Sequence, residues 1–542
     1  MNRHVSRIGV AVCAAVAAVF AVVPAAASAR VLRVGSYHGV KGQYSTIQAA
    51  VNAAQPGDWI LVGPGDYKTT AIHTPKGAPD SPAGILMTRP NITLRGMSRS
   101  KVIVDGTKPG YSACSSNPKA QNHGPKYNHG RAGLDGILVW EANDVNVENL
   151  TTCNFLGGTG DTGNEIWWDG NAGGGHIHGW GFVASYLNAT STYYAGNPTA
   201  ATYGLFSSDW SGGLFTQDYA SNFNDAGYYI GGCQQLCNQE ITHSQSEYNA
   251  LGYSGTNSGG TMLFEYNTFD HNKDGFDTNA QNNTDWPSPQ NGACISGVNP
   301  PVKGASTCWV LYKNDIYDNN DPNVPQAGSA SQGPVGTGVS IEGRNDTVMD
   351  NDIHDNGAWG VVYQVYPDSE APPADVVKAG DACRGGTPNY ALLGFTFNCL
   401  YDDWGNHTFG NTFANNGYFG NPTNGDIAEM TFEPGHAINC YGGNTDASGT
   451  LTTSPANLQT TNASCGTVAT TPDTNYTFVF QALCDTGAVG AGVGCSSTSN
   501  YPRQTKVVMH PLPKNLKSMA NPCAGVPTNP WCPARKRTRQ LA

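Results

Sequence analysis

GYYIGGCQQLCNQEITHSQSEYNALGYSGTNSGGTMLFEYNTFDHNKDGFDTN, residues Gly227–Asn279, holds three runs that begin on glycine and alternate apolar with polar residues: GYYIG at Gly227, GYSGT at Gly252 and GFDTN at Gly275. The pattern recurs at Gly136 (GILVW), Gly204 (GLFSS), Gly338 (GVSIE) and Gly360 (GVVYQ), and from Gly204 onward the steps are 23, 25, 23, 63 and 22 residues. A second register carries asparagines five apart: Asn149/Asn154, Asn267/Asn272, Asn314/Asn319, Asn351/Asn356 and Asn411/Asn416. Alternation of period two is a strand signal, and no helical period competes with it. A unit of about 20–50 residues that cannot bury its apolar face alone must stack on its neighbours. The repeat therefore predicts an all-β solenoid, a parallel β-helix.

The composition bounds what such a body can do. Of the 542 residues only 13% are charged, 67 are glycine and 10% are aromatic. Low charge with much Gly, Asn, Ser and Thr also suits disorder, but regular strands and the aromatic share argue against it. Residues 1–29 have the form of a signal peptide: Arg3 and Arg7, the apolar run Ile8–Val23, then Ala27-Ser28-Ala29. That run is short for a membrane span, which needs about 20 residues, so the chain reads as secreted, extracellular and without a membrane span. Cys13 lies inside the run and leaves with it, so of 15 cysteines an even 14 remain. Export and even parity favour disulfides. Nearest-neighbour pairing gives Cys114 with Cys153, Cys233 with Cys237, Cys294 with Cys308, Cys383 with Cys399, Cys440 with Cys465, Cys484 with Cys495 and Cys523 with Cys532, although spacing alone does not fix connectivity. No pair has the two-residue spacing of a zinc ribbon.

The formal charge is −12, or −14 once Arg3 and Arg7 are removed. An acidic surface disfavours nucleic acid and anionic membranes. It also disfavours a polyanionic substrate unless calcium or local arginines compensate. The basic run Arg535–Arg539 reads as a solvated tail, and the expected protein is a monomer.

In Tyr44–Tyr67, YSTIQAAVNAAQPGDWILVGPGDY, the residues Ile47, Ala50, Val51 and Ala54 share one helical face. Pro56-Gly57 ends the helix, and Trp59–Val62 is a strand. A short helix near Thr46–Ala54 suits the open end of a solenoid, whose core and edges need a cap. This opening resembles the N-terminal cap of right-handed parallel β-helix proteins of the pectin-lyase-like class. NITLRGM (Asn91–Met97) and KVIVDG (Lys101–Gly106) resemble their first coils. The resemblance covers roughly residues 40–440 with gaps. It implies the fold and leaves the chemistry open, because this fold carries lyases, hydrolases, esterases, epimerases and non-enzymes. The expected organisation is a signal at 1–29, the β-helix at 30–440 with loop insertions, and a Cys-, Pro- and Thr-rich C-terminal cap or appendage at 441–542.

Counting from each glycine, the first and third following residues are mostly apolar and should point inward. Asn154, Asn222, Asn249, Asn272, Asn319, Asn356 and Asn416 form one column in the other register, which reads as an inward ladder of stacked amides at a turn. Interruptions near 157–202, 281–307, 321–336 and 366–399 should become loops on a flank, often the binding flank.

The second and fourth residues point outward. They include Trp140 and Tyr229 early in the chain, then Asp277, Asn279, Glu342 and Gln364, with Arg344 two further on. Aromatic faces beside planar hydrogen-bonding groups suit an extended sugar chain. If the 63-residue step is one coil plus a loop, Asp277 and Glu342 lie on adjacent coils with backbones about 8 Å apart. That is compatible with paired carboxylates for glycoside cleavage, with Asp277 as base or nucleophile and Glu342 as acid. Arg344 would stabilise charge, or hold a uronate in a β-elimination. A solvated polar face with a surface ion pair is the other reading of these residues. Asp274, in FDHNKDGFD, is the candidate ligand for calcium, the one cofactor the sequence raises. NEIWWDGN (Asn164–Asn171) reads as a loop whose Trp167 and Trp168 could face sugar or cover a coil, and His176/His178 are a weak metal signal without a third ligand.

The signatures of named enzymes in this class mostly fail. The NTD, DD, GHG and RIK motifs of polygalacturonases have only partial matches in NKDGFD and GGHIHG, and the downstream motifs of pectinesterases are missing. Against the YGFDPHD of alginate epimerases, DGFDTN keeps Gly275, Phe276 and Asp277 and lacks the histidine. The leading expectation is a secreted carbohydrate-active protein, a polysaccharide lyase or glycoside hydrolase. The alternative is a non-catalytic β-helix that binds glycan or builds a cell surface. Thiol titration under denaturing conditions should find no more than a few free thiols in the exported protein; most cysteines free would overturn the export and pairing arguments together.

Overall fold

The computed structural model describes residues 29–534 except 172–175, 234, 283–288, 332, 373, 381, 393–394, 473, 476, 479 and 482–499. The expected signal at 1–29, apart from Ala29, and the basic run Arg535–Arg539 lie outside the described residues. Three long sheets of 12, 11 and 11 strands carry most of the chain, and in each the strands follow chain order with parallel neighbours. Each coil contributes one strand to every sheet in turn, as Met262–Glu265, Thr268–Asp270 and Asp274–Asn279 do. This is a right-handed parallel β-helix, the hand that parallel crossovers take in nearly all proteins. The helix Ile47–Ala53 forms where expected, with the Thr46 hydroxyl accepting from the Ala49 amide, and buries Ile47, Ala50 and Val51 against the first coils.

The glycine runs form one sheet in one register. Ile137, Ile166, Leu205, Tyr228, Tyr253, Phe276, Val339, Val361 and Ile427 stack in a single buried column. Except at Ile166 and Ile427, which follow Glu165 and Asp426, the residue before each is a glycine, where the chain passes close to the next coil. A Cβ on Gly252 would lie 2.2 Å from the Gly275 carbonyl oxygen. The strand Asn164–Asp169 belongs to this sheet, so 157–202 is not merely an insertion but contains a whole coil. It escaped notice because Glu165 stands in the glycine column, turned inward with Oε1 accepting from the Phe155 amide at 3.1 Å.

The asparagine registers are amide ladders. Asn249, Asn272, Asn319, Asn356 and Asn416 run coil to coil, each Oδ1 after the first accepting from both the main-chain amide and Nδ2 of the asparagine one coil earlier. For Asn319 Oδ1 those distances to Asn272 are 3.2 and 3.0 Å. A second ladder joins Asn267, Asn314, Asn351, Asn411 and Asn444. The residue before each rung is left-handed, as at Tyr248 (φ 60°), His271 (φ 54°) and Asp318 (φ 50°), which turns the following side chain inward. Asn154 and Asn222 are a correction: they are the left-handed residues themselves (φ 60° and 70°), and Phe155 and Phe223 fill the inward column there.

Coils continue past 440, with strands at Cys440–Gly442, Thr445–Asp446 and Thr453–Ser454. After these strands the helix Leu458–Thr461 packs Leu458 into the main core. From Tyr501 the chain runs back along the flank as a strap. Thr505 donates to Asn323, His510 and Asn222 exchange two hydrogen bonds, Arg99 holds the Lys517 carbonyl, Arg95 holds Ala524, and Trp531 donates to the Val40 carbonyl.

Six disulfides form among the described residues, each between the expected nearest neighbours. Cys114 is bonded to Cys153, Cys233 to Cys237 and Cys294 to Cys308. Cys383 is bonded to Cys399, Cys440 to Cys465 and Cys523 to Cys532. The seventh expected pair, Cys484 with Cys495, lies outside the described residues. The bonds act at different places: Cys233 and Cys237 are buried in the main core, whereas Cys532 packs with Trp531, Leu61 and Met97 where the strap meets the first coils. Among the described residues no helix is long and apolar enough to cross a membrane.

Asn319→Ala should lower unfolding stability by about 1–3 kcal/mol, because it strands buried partners on two coils. Asn222→Ala should chiefly loosen the strap, seen as faster proteolysis within 500–532 at nearly unchanged melting temperature. Equal effects of the two variants on global stability would contradict the ladder assignment.

Candidate functional site

The candidate site lies on the outer face of the sheet that carries the glycine runs. In its strands the second and fourth residues after the glycine column point away from the core. Asp277 pairs with Ser340 in register, and Glu342, two residues on, donates its amide to the Thr278 carbonyl at 3.1 Å. Adjacent coils with this offset set the two backbones about 8 Å apart. Both side chains are partly exposed.

Two insertions flank this part of the face. On one side residues 320–336 pack Ala330 against Ala226, Ala250 and Leu251, and the Ala330 carbonyl accepts from Lys273 Nζ at 3.0 Å. On the other, Tyr366–Asp368, Thr387–Leu392 and Phe395–Tyr401 form an antiparallel sheet held by the Cys383–Cys399 disulfide. Gln281 Nε2 ties the coil to the Tyr366 hydroxyl at 2.8 Å, and the Tyr401 hydroxyl donates to Asn282 Oδ1 at 2.7 Å. Thus the interruptions at 321–336 and 366–399 do stand beside the acidic pair.

The electrostatics raise both carboxyls. Burial is the main influence on each. It pushes Asp277 up to about 7, against hydrogen bonds from Asn279 (3.3 Å) and Ser340 that favour the ionised form. Glu342 is driven well above the usual carboxylate range by burial and then by the charges of Asp277 and Asp274, although Gln364 Nε2 donates to its Oε1 at 2.6 Å. Two carboxyls that raise one another titrate as a pair, so that one can hold a proton while the other is ionised, the condition for an acid and a base in one site. Lys273, almost fully buried, is held down to about 8 by burial. Asp225, partly exposed, is pushed up to about 7 by burial while accepting from the Tyr203 hydroxyl at 3.2 Å.

Other predicted residues fall differently. Asn279 and Gln364 sit beside the pair as partners of Asp277 and Glu342. Trp140, Trp167 and Tyr229 do face outward on the same sheet, but they are only 6%, 4% and 3% exposed. Together with Leu138, Phe206 and Ala78 they make a satellite apolar cluster, Trp167 stacking on Phe206 at 4.8 Å. That corrects an open sugar platform to a covered wall. Trp168 is a clearer correction: NEIWWD is a strand, so its second tryptophan points into the coil, stacking on Phe182 at 4.4 Å and donating to the Val145 carbonyl. Arg344 does not complete the acidic pair. Its guanidinium lies over Trp404 at 4.9 Å and donates to the Arg384 carbonyl, and the main charges acting on Glu342 are carboxylates. Asp274 is buried, with Oδ1 lacking a hydrogen-bond partner. Among the described residues neither it nor His176/His178 belongs to a group of three potential metal ligands, and the nearby positive charge is the Lys273 ammonium.

Sequence reasoning missed Asp225 and Tyr203. Both precede the glycines of their coils and so escaped an alignment read forward from them. Tyr366 is reached by that alignment, six residues after Gly360.

No family model and no curated protein matches the sequence. Similar solved structures include the A-module of the Azotobacter vinelandii mannuronan C-5 epimerase AlgE4, at 12% identity and a TM-score of 0.42 over 74% of this chain and 90% of that one. Pectate lyase Pel9A aligns at 12% identity and a TM-score of 0.36 over 80% of this chain and 78% of that one. An alginate lyase from Paenibacillus sp. aligns at 12% and 0.30 over 78% of this chain and 97% of that one. None is near enough to carry a residue's role across.

A carboxyl with a raised folded-state pKa binds more protons folded than unfolded between the two values. Its contribution to stability is full below the unfolded pKa and is lost as pH rises through the folded one. Asp277 and Glu342 should therefore make stability fall from about pH 4 through 7 and beyond. Asp277→Asn should flatten that slope in denaturant titrations. An unchanged slope would mean that Asp277 titrates as an ordinary surface acid.

Proposed function

We propose that this protein is an exported enzyme that cleaves glycosidic bonds of an extracellular polysaccharide on the sheet face that carries Asp277 and Glu342. The observation that carries the reading is the pair itself: two partly exposed carboxyls on adjacent coils, both raised and flanked by two insertions. In this reading Glu342, raised by burial and by the charge of Asp277, gives its proton to the leaving glycosidic oxygen. Asp277, ionised near neutrality, takes the proton of the attacking water, so one C–O bond breaks as another forms. Gln364 and Asn279 orient the two carboxyls, and the hydroxyls of Tyr203 and Tyr366 border the sugar. The signal-like residues 1–29 and the disulfides support export.

Glu342→Gln and Asp277→Asn should each lower turnover by roughly a hundredfold or more with the fold intact, read as reducing ends released from a polysaccharide panel. Activity should rise through about pH 7 as Asp277 ionises and decline at the higher pH where Glu342 loses its proton. Variants as active as the parent would remove the two residues from the chemistry. Retention of a glycan without any cleavage would replace the enzyme by a binding protein.

A further inference from the structure

A different sheet, the one holding Gln245–Glu247, Thr268–Asp270 and Asp315–Tyr317, has an outer face of its own. On it Glu247 and Asp270 lie directly opposite each other on adjacent coils, 7% and 2% exposed. Among the described residues no lysine or arginine pairs with either carboxyl. Two carboxyls sharing a site keep one proton between them unless a cation takes its place. His271, left-handed at φ 54°, sets its Nδ1 2.7 Å from Asp270 Oδ2. Glu247, Asp270 and His271 each bring one donor atom to within 4.8 Å of the other two. The carboxyls are also held from outside, Tyr219 donating to Glu247 Oε1 at 2.6 Å and Gln245 Nε2 to Asp270 Oδ1 at 3.0 Å. Outer partners of this kind fix the carboxylates that ligate metals. The His271 side chain, 42% exposed, opens the group to solvent.

From this convergence we infer that Glu247, Asp270 and His271 bind one divalent cation of the zinc class. The inference is independent of the function proposed above, since it concerns another sheet. Three other groups of histidine, cysteine and carboxylate donors come as close among the described residues. Two include the cysteines of the Cys114–Cys153 and Cys440–Cys465 disulfides, which are not free to ligate. The third is Asp315, Asp352 and His354, whose two aspartates are open to water that satisfies them without an ion. Only the group at Glu247 combines buried carboxyls with an accessible imidazole. Imidazole suits zinc-like ions, whereas calcium takes about six to eight oxygens, more than two carboxyls supply. Donors about 2.1 Å from one zinc ion stand about 3.4 Å apart in a tetrahedron. Atoms already within 4.8 Å reach that spacing by side-chain rotation alone. The ion takes the place of the shared proton and ties two successive coils together.

The test is calorimetry and thermal melting of the full chain, stripped with a chelator and titrated with Zn²⁺ or Ca²⁺. It is run at pH 8, above the value of about 7 to which burial pushes Glu247, because a ligating carboxyl must be ionised. The expected result is one Zn²⁺ per chain, bound at least about tenfold tighter than Ca²⁺, with a melting temperature that rises with zinc concentration. Glu247→Gln and His271→Asn should each weaken zinc binding at least about tenfold. Without zinc both should melt close to the parent, since glutamine keeps an acceptor for Tyr219 and asparagine tolerates a left-handed backbone. If Glu247→Gln melts early, His271→Asn, at an exposed position, carries the test. His354→Ala should leave zinc affinity within about twofold. No saturable zinc binding overturns the inference, as does zinc affinity unmoved by His271→Asn. Loss of zinc on His354→Ala places the ion at the exposed group and overturns it too. Tighter binding of Ca²⁺ than of Zn²⁺ overturns the class of ion.

Discussion

Everything in this molecule depends on one coil resting on the next at the spacing of a β-sheet. Three parallel ladders supply the hydrogen bonds, but a ladder alone tolerates slippage. Register is held at the corners, where a left-handed residue turns an asparagine inward and its Oδ1 takes both amide donors of the asparagine one coil earlier. A slip of one residue would bury a different side chain and leave two amides per coil without partners, so each corner penalises misregistration. Glycine meets the same constraint at the next corner, where Gly252 passes the Gly275 carbonyl too closely for a Cβ.

A core that is settled coil by coil leaves the outer face free. The second and fourth positions of the glycine-run strands contribute nothing to the inner columns, so they can be aromatic in one stretch and acidic in the next without disturbing the stack. The aromatic stretch is covered and behaves as a small second core. Farther along, the acidic stretch lies between two insertions, and burial, with the neighbouring carboxylates at Glu342, lifts the Asp277 and Glu342 carboxyls. The strap from Tyr501 to Trp531 adds a different restraint, tying late coils to early ones along a flank.

Adjacency of Asp277 and Glu342 is legible in the repeat because the step between their glycines is one coil plus a loop, and strand spacing converts that into distance. The disulfide partners are legible too, for the six pairs described, because loops that leave and re-enter a solenoid bring sequence neighbours together, as Cys294 and Cys308 show. The place of Trp168 is not: it needs the coil at Asn164–Asp169, which hides because Glu165 replaces its glycine. Nor are the places of Asn154 and Asn222, since a left-handed residue and the inward residue after it are both commonly asparagine and differ only by one in register.

The repeat by itself determined the class of fold, the order of the coils, the inward columns and the acidic composition of the face, because these follow from local periodicity and from counting. Where side chains from insertions come to rest was decided only by the tertiary structure. Arg344 is near Glu342 in sequence, yet its guanidinium is taken by Trp404. Lys273 sits among acids, yet it is spent on a loop carbonyl contributed 57 residues later. Flexible cations go to whichever partner the packed loops present, and no period in the sequence encodes that choice.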